Sequence, residues 1–80
     1  MNETEITFDR PVVIDGKEVT SLTMREPTVD DQLAAQESGG TDAQQEMRLF
    51  ANLCEVSPED IRRLPLKAYV AMREAFAGFL

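Results

Sequence analysis

The chain has 80 residues, with 15 acidic and 8 basic side chains, no histidine and one cysteine, and its formal charge is -7. A folded chain of this length buries only about 60 to 65% of the surface that its unfolded form exposes, so we expect one modest core and a single domain over residues 1–80. The acidic balance excludes most nucleic-acid binding and argues against attraction to an anionic membrane surface, because both require clustered Lys and Arg.

A β-hairpin is predicted in residues 1–26. This segment is rich in Thr, Val, Ile and Phe, which favour strands. It also contains Asp15-Gly16, a dipeptide that readily adopts the positive φ angles of a tight hairpin turn. We therefore expect strands near Glu5 to Ile14 and Glu18 to Arg25.

The register of the hairpin has two alternatives. A two-residue loop places Val12 opposite Val19 but separates Phe8 from Leu22 and Met24. One extra loop residue brings Phe8, Leu22 and Met24 onto one face. The second register, with a bulge, is the one we expect.

Residues 27–80 predict three to four short helices joined by a Gly-Gly linker at 38–41. N-caps are expected at Thr28 and Ser57, and Asp42 with Gln45 resembles a capping box. The predicted helices run over about Val29 to Glu37, Ala43 to Val56, Pro58 to Arg63 and Leu66 to the C-terminus. The predicted fold class is therefore α+β, with an N-terminal β-hairpin followed by these helices.

Catalytic and metal-binding patterns are not found in the sequence. Without histidine, Ser-His and Cys-His nucleophile pairs cannot form. Cys54, in an amphipathic helix, is interpreted as a packed small hydrophobe. Asp30-Asp31 is interpreted as charge at a helix terminus, and Gly39-Gly40 as a linker, because the Lys and Ser/Thr of a phosphate loop are missing. We predict no enzyme, no cofactor and no metal.

Two features of the C-terminal half allow more than one interpretation. The basic residues Arg62, Arg63, Lys67 and Arg73 are either solvated helix surface or a patch for an acidic partner. The apolar segment 76–80 indicates a docked helix, a partner surface or a chain that sometimes continues.

Short motifs follow one another in a characteristic order along nearly the whole chain. In the first half they are Thr7-Phe8, Pro11, Asp15-Gly16, Val19, Leu22, Met24-Arg25-Glu26-Pro27 and Asp30-Asp31. In the second half they are Ser57-Pro58-Glu59-Asp60, Leu64-Pro65, Tyr69 and Phe79-Leu80. Their order and the matching length resemble the phage tail assembly chaperones of Mu-like and related contractile-tailed phages, the family of tail proteins E, 41 and 14. One departure is that Lys67-Ala68 precede Tyr69, where the family often has an acid.

The resemblance implies a non-enzymatic assembly factor of a phage or prophage. Its implied client is the long, hydrophobic tape measure protein, which it keeps soluble while the tail tube polymerises, and it is not retained in the virion. In this family a ribosomal frameshift commonly adds a longer product that is thought to recruit tail tube subunits. An N-terminus without a secretory signal is consistent with the host cytoplasm, and the longest apolar run, Ala68 to Met72, is far short of the ~20 residues that span a bilayer.

Apolar side chains of the last two helices are the predicted partner-binding residues, although some of them must belong to the core. They are Leu49, Leu53, Tyr69, Met72, Phe76 and Phe79. We also expect a homo-oligomer, because a two-stranded hairpin is marginal alone and its edges can pair with a second copy. The alternative function is a small acidic regulator or nucleic-acid mimic that binds a basic partner protein, which the net charge favours.

Overall fold

The computed structural model describes residues 2–80; Met1, which the sequence prediction included in the hairpin segment, lies outside the described residues. The elements are β1 (Glu3–Ile14), β2 (Lys17–Arg25), α1 (Val29–Glu37), α2 (Asp42–Cys54), α3 (Pro58–Arg62) and α4 (Leu66–Ala77). The fold is α+β, as predicted: β1 and β2 form an antiparallel hairpin, and helices follow it. α4 packs against β1 and α2 against β2.

The hairpin turn has the shorter of the two predicted loops. Ile14 pairs directly with Lys17, so only Asp15 and Gly16 form the loop, and both have positive φ, at 53° and 76°. This geometry matches the twist of the flanking strands. The backbone N–H of Asp15 also donates to Asp60 Oδ2 at 3.0 Å, which ties the turn to α3. The expectation of an extra loop residue was therefore wrong.

A bulge does exist, but it lies inside β1. Thr7 pairs with Ser21 and Val12 with Val19, so residues 8–11 stand opposite Thr20 alone. Pro11 is accommodated here because a bulged residue need not donate to the ladder.

The bulge decides which side chains reach the core. On the far side of the bulge from the turn, Met24 pairs with Thr4. Without the bulge, the register set at the turn would pair Met24 with Thr7, which lies on the face of β1 opposite to Thr4. Met24 thereby joins Phe8 in the core, with Leu22 packed against it. The shared face predicted for these residues is confirmed, although an insertion in the strand and not in the loop produces it.

Side-chain hydrogen bonds from nearby capping residues determine where α1, α2 and α3 begin. Thr28 caps α1 in a capping box with Asp31, and Ser57 caps α3, both as predicted. The box predicted at Asp42 was wrong by one residue. Thr41 Oγ1 accepts the N–H of Gln44 at 3.1 Å, and Gln44 Oε1 accepts the N–H of Thr41 at 2.9 Å.

The end of α2 also differs from the prediction. The helix stops at Cys54 because Glu55 adopts the left-handed conformation, with φ 56°, and its N–H satisfies carbonyls of the last turn. Val56, the predicted end, lies outside the helix and packs against the core.

Candidate protein-binding surface

The six predicted partner-binding residues do not lie on one exposed surface. Leu49, Leu53 and Met72 are buried in the core shared by the hairpin and the helices. Tyr69, Phe76 and Phe79 are half-buried and pack against that core from α4 and the residues that follow it. Phe76 and Phe79 thus dock the C-terminal segment, which is the first of the interpretations given above for residues 76–80.

Phe50 is the residue around which the aromatic side chains assemble. It is completely buried, and its ring centroid lies 5.5 Å from that of Tyr69 and 5.4 Å from that of Phe76, both in tilted arrangements. Aromatic pairs at such distances add to the free energy gained by burial alone. Phe50 therefore fixes α2 against α4.

A polar cluster closes the edge of this aromatic contact. The Tyr69 hydroxyl donates to Glu46 Oε1 at 2.9 Å, and Arg73 Nε donates to the same oxygen at 3.0 Å. The Arg73 guanidinium also lies 5.4 Å from the centroid of the Tyr69 ring. Burial, and secondly the Glu46 carboxylate, raise the pKa of Tyr69 far above its usual range. The phenol is therefore a neutral donor that links α4 to α2.

α4 carries apolar side chains on the side that faces away from the core. Leu66 is 76% exposed and Val70 is 39% exposed, and the small side chain of Ala77 is exposed as well. Helical spacing places these three on one face, opposite the buried Met72. We call Leu66, Val70 and Ala77 the α4 outer face. This face was not predicted from the sequence, although helical spacing places Leu66 and Val70 on a different side of α4 from Met72 and Phe76.

An open groove of about 750 Å³ runs between the bulge of β1 and α4. Its apolar lining includes Phe8, Pro11 and Val12 from β1, and Val70 joins it to the α4 outer face. Lys67 forms an ion pair with Asp9 that connects the two walls. The groove and the outer face of α4 thus make one continuous, mainly apolar surface.

The predicted basic cluster has most of its charge compensated within the chain. Lys67 pairs with Asp9, as described above. Arg73 Nε lies 3.0 Å from Glu46 Oε1, and Arg63 Nη1 lies 3.8 Å from Asp60 Oδ1. The side chains of Lys67 and Arg63 are largely exposed, so these pairs contribute little stability. They do reduce the net positive charge that an acidic partner would meet.

A family model described as phage tail assembly chaperone proteins E, 41 or 14 matches residues 5–80 of the chain. The chain belongs to this family of phage tail assembly chaperones. No curated protein and no solved structure matches it significantly. The match covers the hairpin from its first strand and all the helices, as the motif order predicted.

The remaining residues considered for chemistry have structural positions in this tail assembly chaperone. Cys54 is buried, and burial raises the pKa of its thiol to about 11, which suits a packed side chain. Asp31 completes the capping box of α1 with Thr28 and accepts two hydrogen bonds from Arg25. Among residues 2–80 there is no group of three or more Cys, Asp or Glu placed to hold a metal ion. Over the same residues no helix is long and apolar enough to cross a bilayer.

Proposed function

We propose that this tail assembly chaperone binds the tape measure protein during tail morphogenesis. It acts without catalysis in the host cytoplasm and is not retained in the virion. Family membership over residues 5–80 supports the role in tail assembly. The single observation that supports a direct apolar client is the α4 outer face with the adjoining groove, because apolar surface that is left exposed and contiguous commonly marks a binding site.

The predicted partner-binding residues divide into two roles under this proposal. Tyr69, Phe76 and Phe79 flank the α4 outer face and add contact area to the client. Leu49, Leu53 and Met72 act indirectly, since they are buried and hold α2 and α4 in position. The net charge of -7 keeps the chaperone itself dispersed while it presents an apolar surface.

We further propose that the chaperone self-associates and that a frameshifted longer product contacts the tail tube protein. Self-association is supported by the two-stranded sheet, because within residues 2–80 each strand has an edge without a partner strand. Sedimentation tests it: a species that stays monomeric at ~100 μM, where contacts weaker than about -5.5 kcal/mol remain open, would contradict it.

Titration calorimetry with purified tape measure fragments tests client binding. The double variant Leu66→Asp/Val70→Asp should weaken binding by at least about tenfold, equivalent to about 1.4 kcal/mol. Ala34→Asp/Asn52→Asp is the matched control, because it adds the same two charges at exposed positions of α1 and α2 and should bind as the unmodified chain does.

Each other outcome has a distinct meaning. If the α4 variant remains folded by circular dichroism and binds fully, the proposed surface is wrong. If a folded Phe76→Asp/Phe79→Asp variant still binds the client, Phe76 and Phe79 are not part of the binding site. If the unmodified chain binds no fragment of the tape measure protein, the proposed function itself is wrong.

A further inference from the structure

α1 buries a small side chain and exposes larger apolar ones, which is the reverse of the usual arrangement in a helix. Ala35 is its one buried residue, whereas Val29 is 77% exposed and Leu33 is 49% exposed. Val29 and Leu33 are four residues apart and share a face, and Ala35 lies on the opposite side of the helix. α1 therefore presents its larger apolar side chains to the exterior.

Polar contacts hold α1 in this orientation at its N-terminal end. Thr28 and Asp31 form the capping box, and Arg25 from β2 donates two hydrogen bonds to the Asp31 carboxylate, at 2.7 and 2.8 Å. Two parallel bonds of this kind fix direction as well as distance. The first turn is therefore anchored to the hairpin.

The C-terminal end of α1 is held by a second set of contacts. Ser38 Oγ donates to the Ala35 carbonyl at 2.6 Å, and Arg48 Nη1 from α2 donates to Ser38 Oγ and to the Gly39 carbonyl, at 2.9 and 2.6 Å. A helix of nine residues is too short to be stable alone in water. Its exposed apolar pair is thus kept in a fixed position, which lowers the entropy lost when a partner binds.

The charged side chains that border the apolar pair on α1 itself are acidic. Residues 27–46 contain 5 acidic and no basic side chains. Asp30 and Glu37 lie three residues before and four residues after Leu33, so they border the same face. Among residues 2–80 neither Asp30 nor Glu37 forms an ion pair, whereas Asp31 pairs with Arg25. We call Val29, Leu33, Asp30 and Glu37 the α1 outer face.

We propose that the α1 outer face binds an amphipathic helix of a partner protein that carries Lys or Arg beside its apolar stripe. An apolar side chain of this helix lies between Val29 and Leu33, and its cations face Asp30 and Glu37. The site is separate from the α4 outer face and goes beyond the proposed function. A second copy of the chain is the poorer occupant, because four of its eight basic side chains already have acidic partners within residues 2–80 and its net charge of -7 opposes binding to an acidic face.

Two model peptides of 18 residues, one of Leu and Lys and one of Leu and Glu with the same helical apolar pattern, probe this surface. Fluorescence anisotropy with the full chain should show binding of the Leu-Lys peptide and none of the Leu-Glu peptide. Val29→Ser/Leu33→Ser should weaken binding of the Leu-Lys peptide by about tenfold, and Asp30→Asn/Glu37→Gln should weaken it and reduce its salt dependence. Amide chemical shifts of α1 should change on binding, and those of α4 should not.

Two matched controls keep the test specific. Val13→Ser/Leu80→Ser removes two exposed apolar side chains that lie outside both outer faces, and Glu3→Gln/Glu5→Gln removes the same charge from exposed positions of β1; both should bind the Leu-Lys peptide as the unmodified chain does. Equal weakening by either control would overturn the proposal, since binding would then follow general charge or apolarity. A change in the sedimentation of the unliganded chain caused by Val29→Ser/Leu33→Ser would also overturn it, because the face would then be a contact between copies.

Discussion

α1 and α4 are both short helices with exposed apolar residues, but different forces hold them in place. α4 buries Ala68 and Met72 and contributes two aromatic rings to the contact with Phe50. α1 buries only Ala35 and depends on hydrogen bonds and an ion pair at its ends. The comparison indicates that α4 belongs to the cooperative core, whereas α1 can be loosened without unfolding that core.

The largest effect is expected at the aromatic contact on the α4 side. Phe50→Ala removes a fully buried ring and the pairs with Tyr69 and Phe76, so the free energy of unfolding should fall by about 3 to 5 kcal/mol. Leu33→Ala is the control on α1 and should change it by less than about 0.5 kcal/mol. Urea denaturation measures both. Similar losses for the two variants would contradict the contrast between the helices.

Loss of the ion pair between Arg25 and Asp31 should cause the next largest fall in the free energy of unfolding. Asp31→Ala removes the bidentate partner of Arg25 and half of the capping box, at a cost of roughly 2 kcal/mol. The loss should appear mainly as faster hydrogen exchange in α1, with the amides of α4 still protected. Uniform loss of protection in both helices would mean that α1 is part of the core unit.

The same contact predicts a dependence of stability on pH. The hydrogen bonds from Arg25 lower the pKa of Asp31 from its ordinary value of 3.8. A carboxyl whose pKa is lower in the folded state contributes stability above its unfolded pKa, and this contribution is lost as the pH falls below 3.8 toward the folded pKa. The stability difference between the unmodified chain and Asp31→Asn should therefore be largest near neutrality and shrink below pH 3.8. A constant difference across this range would contradict the assignment.

A smaller effect is expected at the hairpin turn. Gly16 has φ 76° and a Cβ placed there would meet no atom within 4 Å, so backbone strain and not a clash opposes a larger residue. Gly16→Val should lower the free energy of unfolding by about 1 to 2 kcal/mol. Each kcal/mol lost lowers the melting midpoint of a domain of this size by roughly 4 to 8 °C. Gly16→Asn should cost much less, because Asn tolerates positive φ. Equal midpoints for the two variants would place the constraint elsewhere.

The smallest predicted effect concerns the polar edge of the aromatic contact. Tyr69→Phe keeps the ring beside Phe50 but removes the hydrogen bond to Glu46, so the free energy of unfolding should fall by about 0.5 to 1.5 kcal/mol. Thermal denaturation measures this loss. Tyr69→Ala, which also removes the ring, should cost clearly more. If both variants cost the same, the ring contributes nothing and the aromatic contact is overstated.

The hairpin turn and the starts of α1 and α3 were predictable because their signals are local. Asp15-Gly16 determines the turn, and Thr28 and Ser57 supply their caps within three residues of sequence. The bulge in β1 was not predictable in position, since it depends on the need for Met24 and Phe8 to reach one core. Local pattern also suggested a capping box of Asp42 with Gln45 at the start of α2, and only the structure shows that Thr41 and Gln44 form it instead.

The candidate surface was less predictable than the fold. A wide apolar stripe on α2 and α4 does not say which residues are covered by a neighbour, so Leu49, Leu53 and Met72 could not be separated from exposed positions. Leu66 and Val29 were overlooked for the opposite reason. Each is an apolar residue at the start of a helix, where the sequence periodicity is too short to assign a face.

Hydrogen exchange of the chaperone with and without a bound tape measure fragment tests the central claim most directly. If the client binds along α4, the backbone amides of residues 66–77 and of residues 8–10 in the bulge should gain protection, while those of α1 remain unchanged. Protection confined to α1 or to the turn at Asp15 and Gly16, with α4 unaffected, would contradict the assignment of the α4 outer face as the client-binding surface.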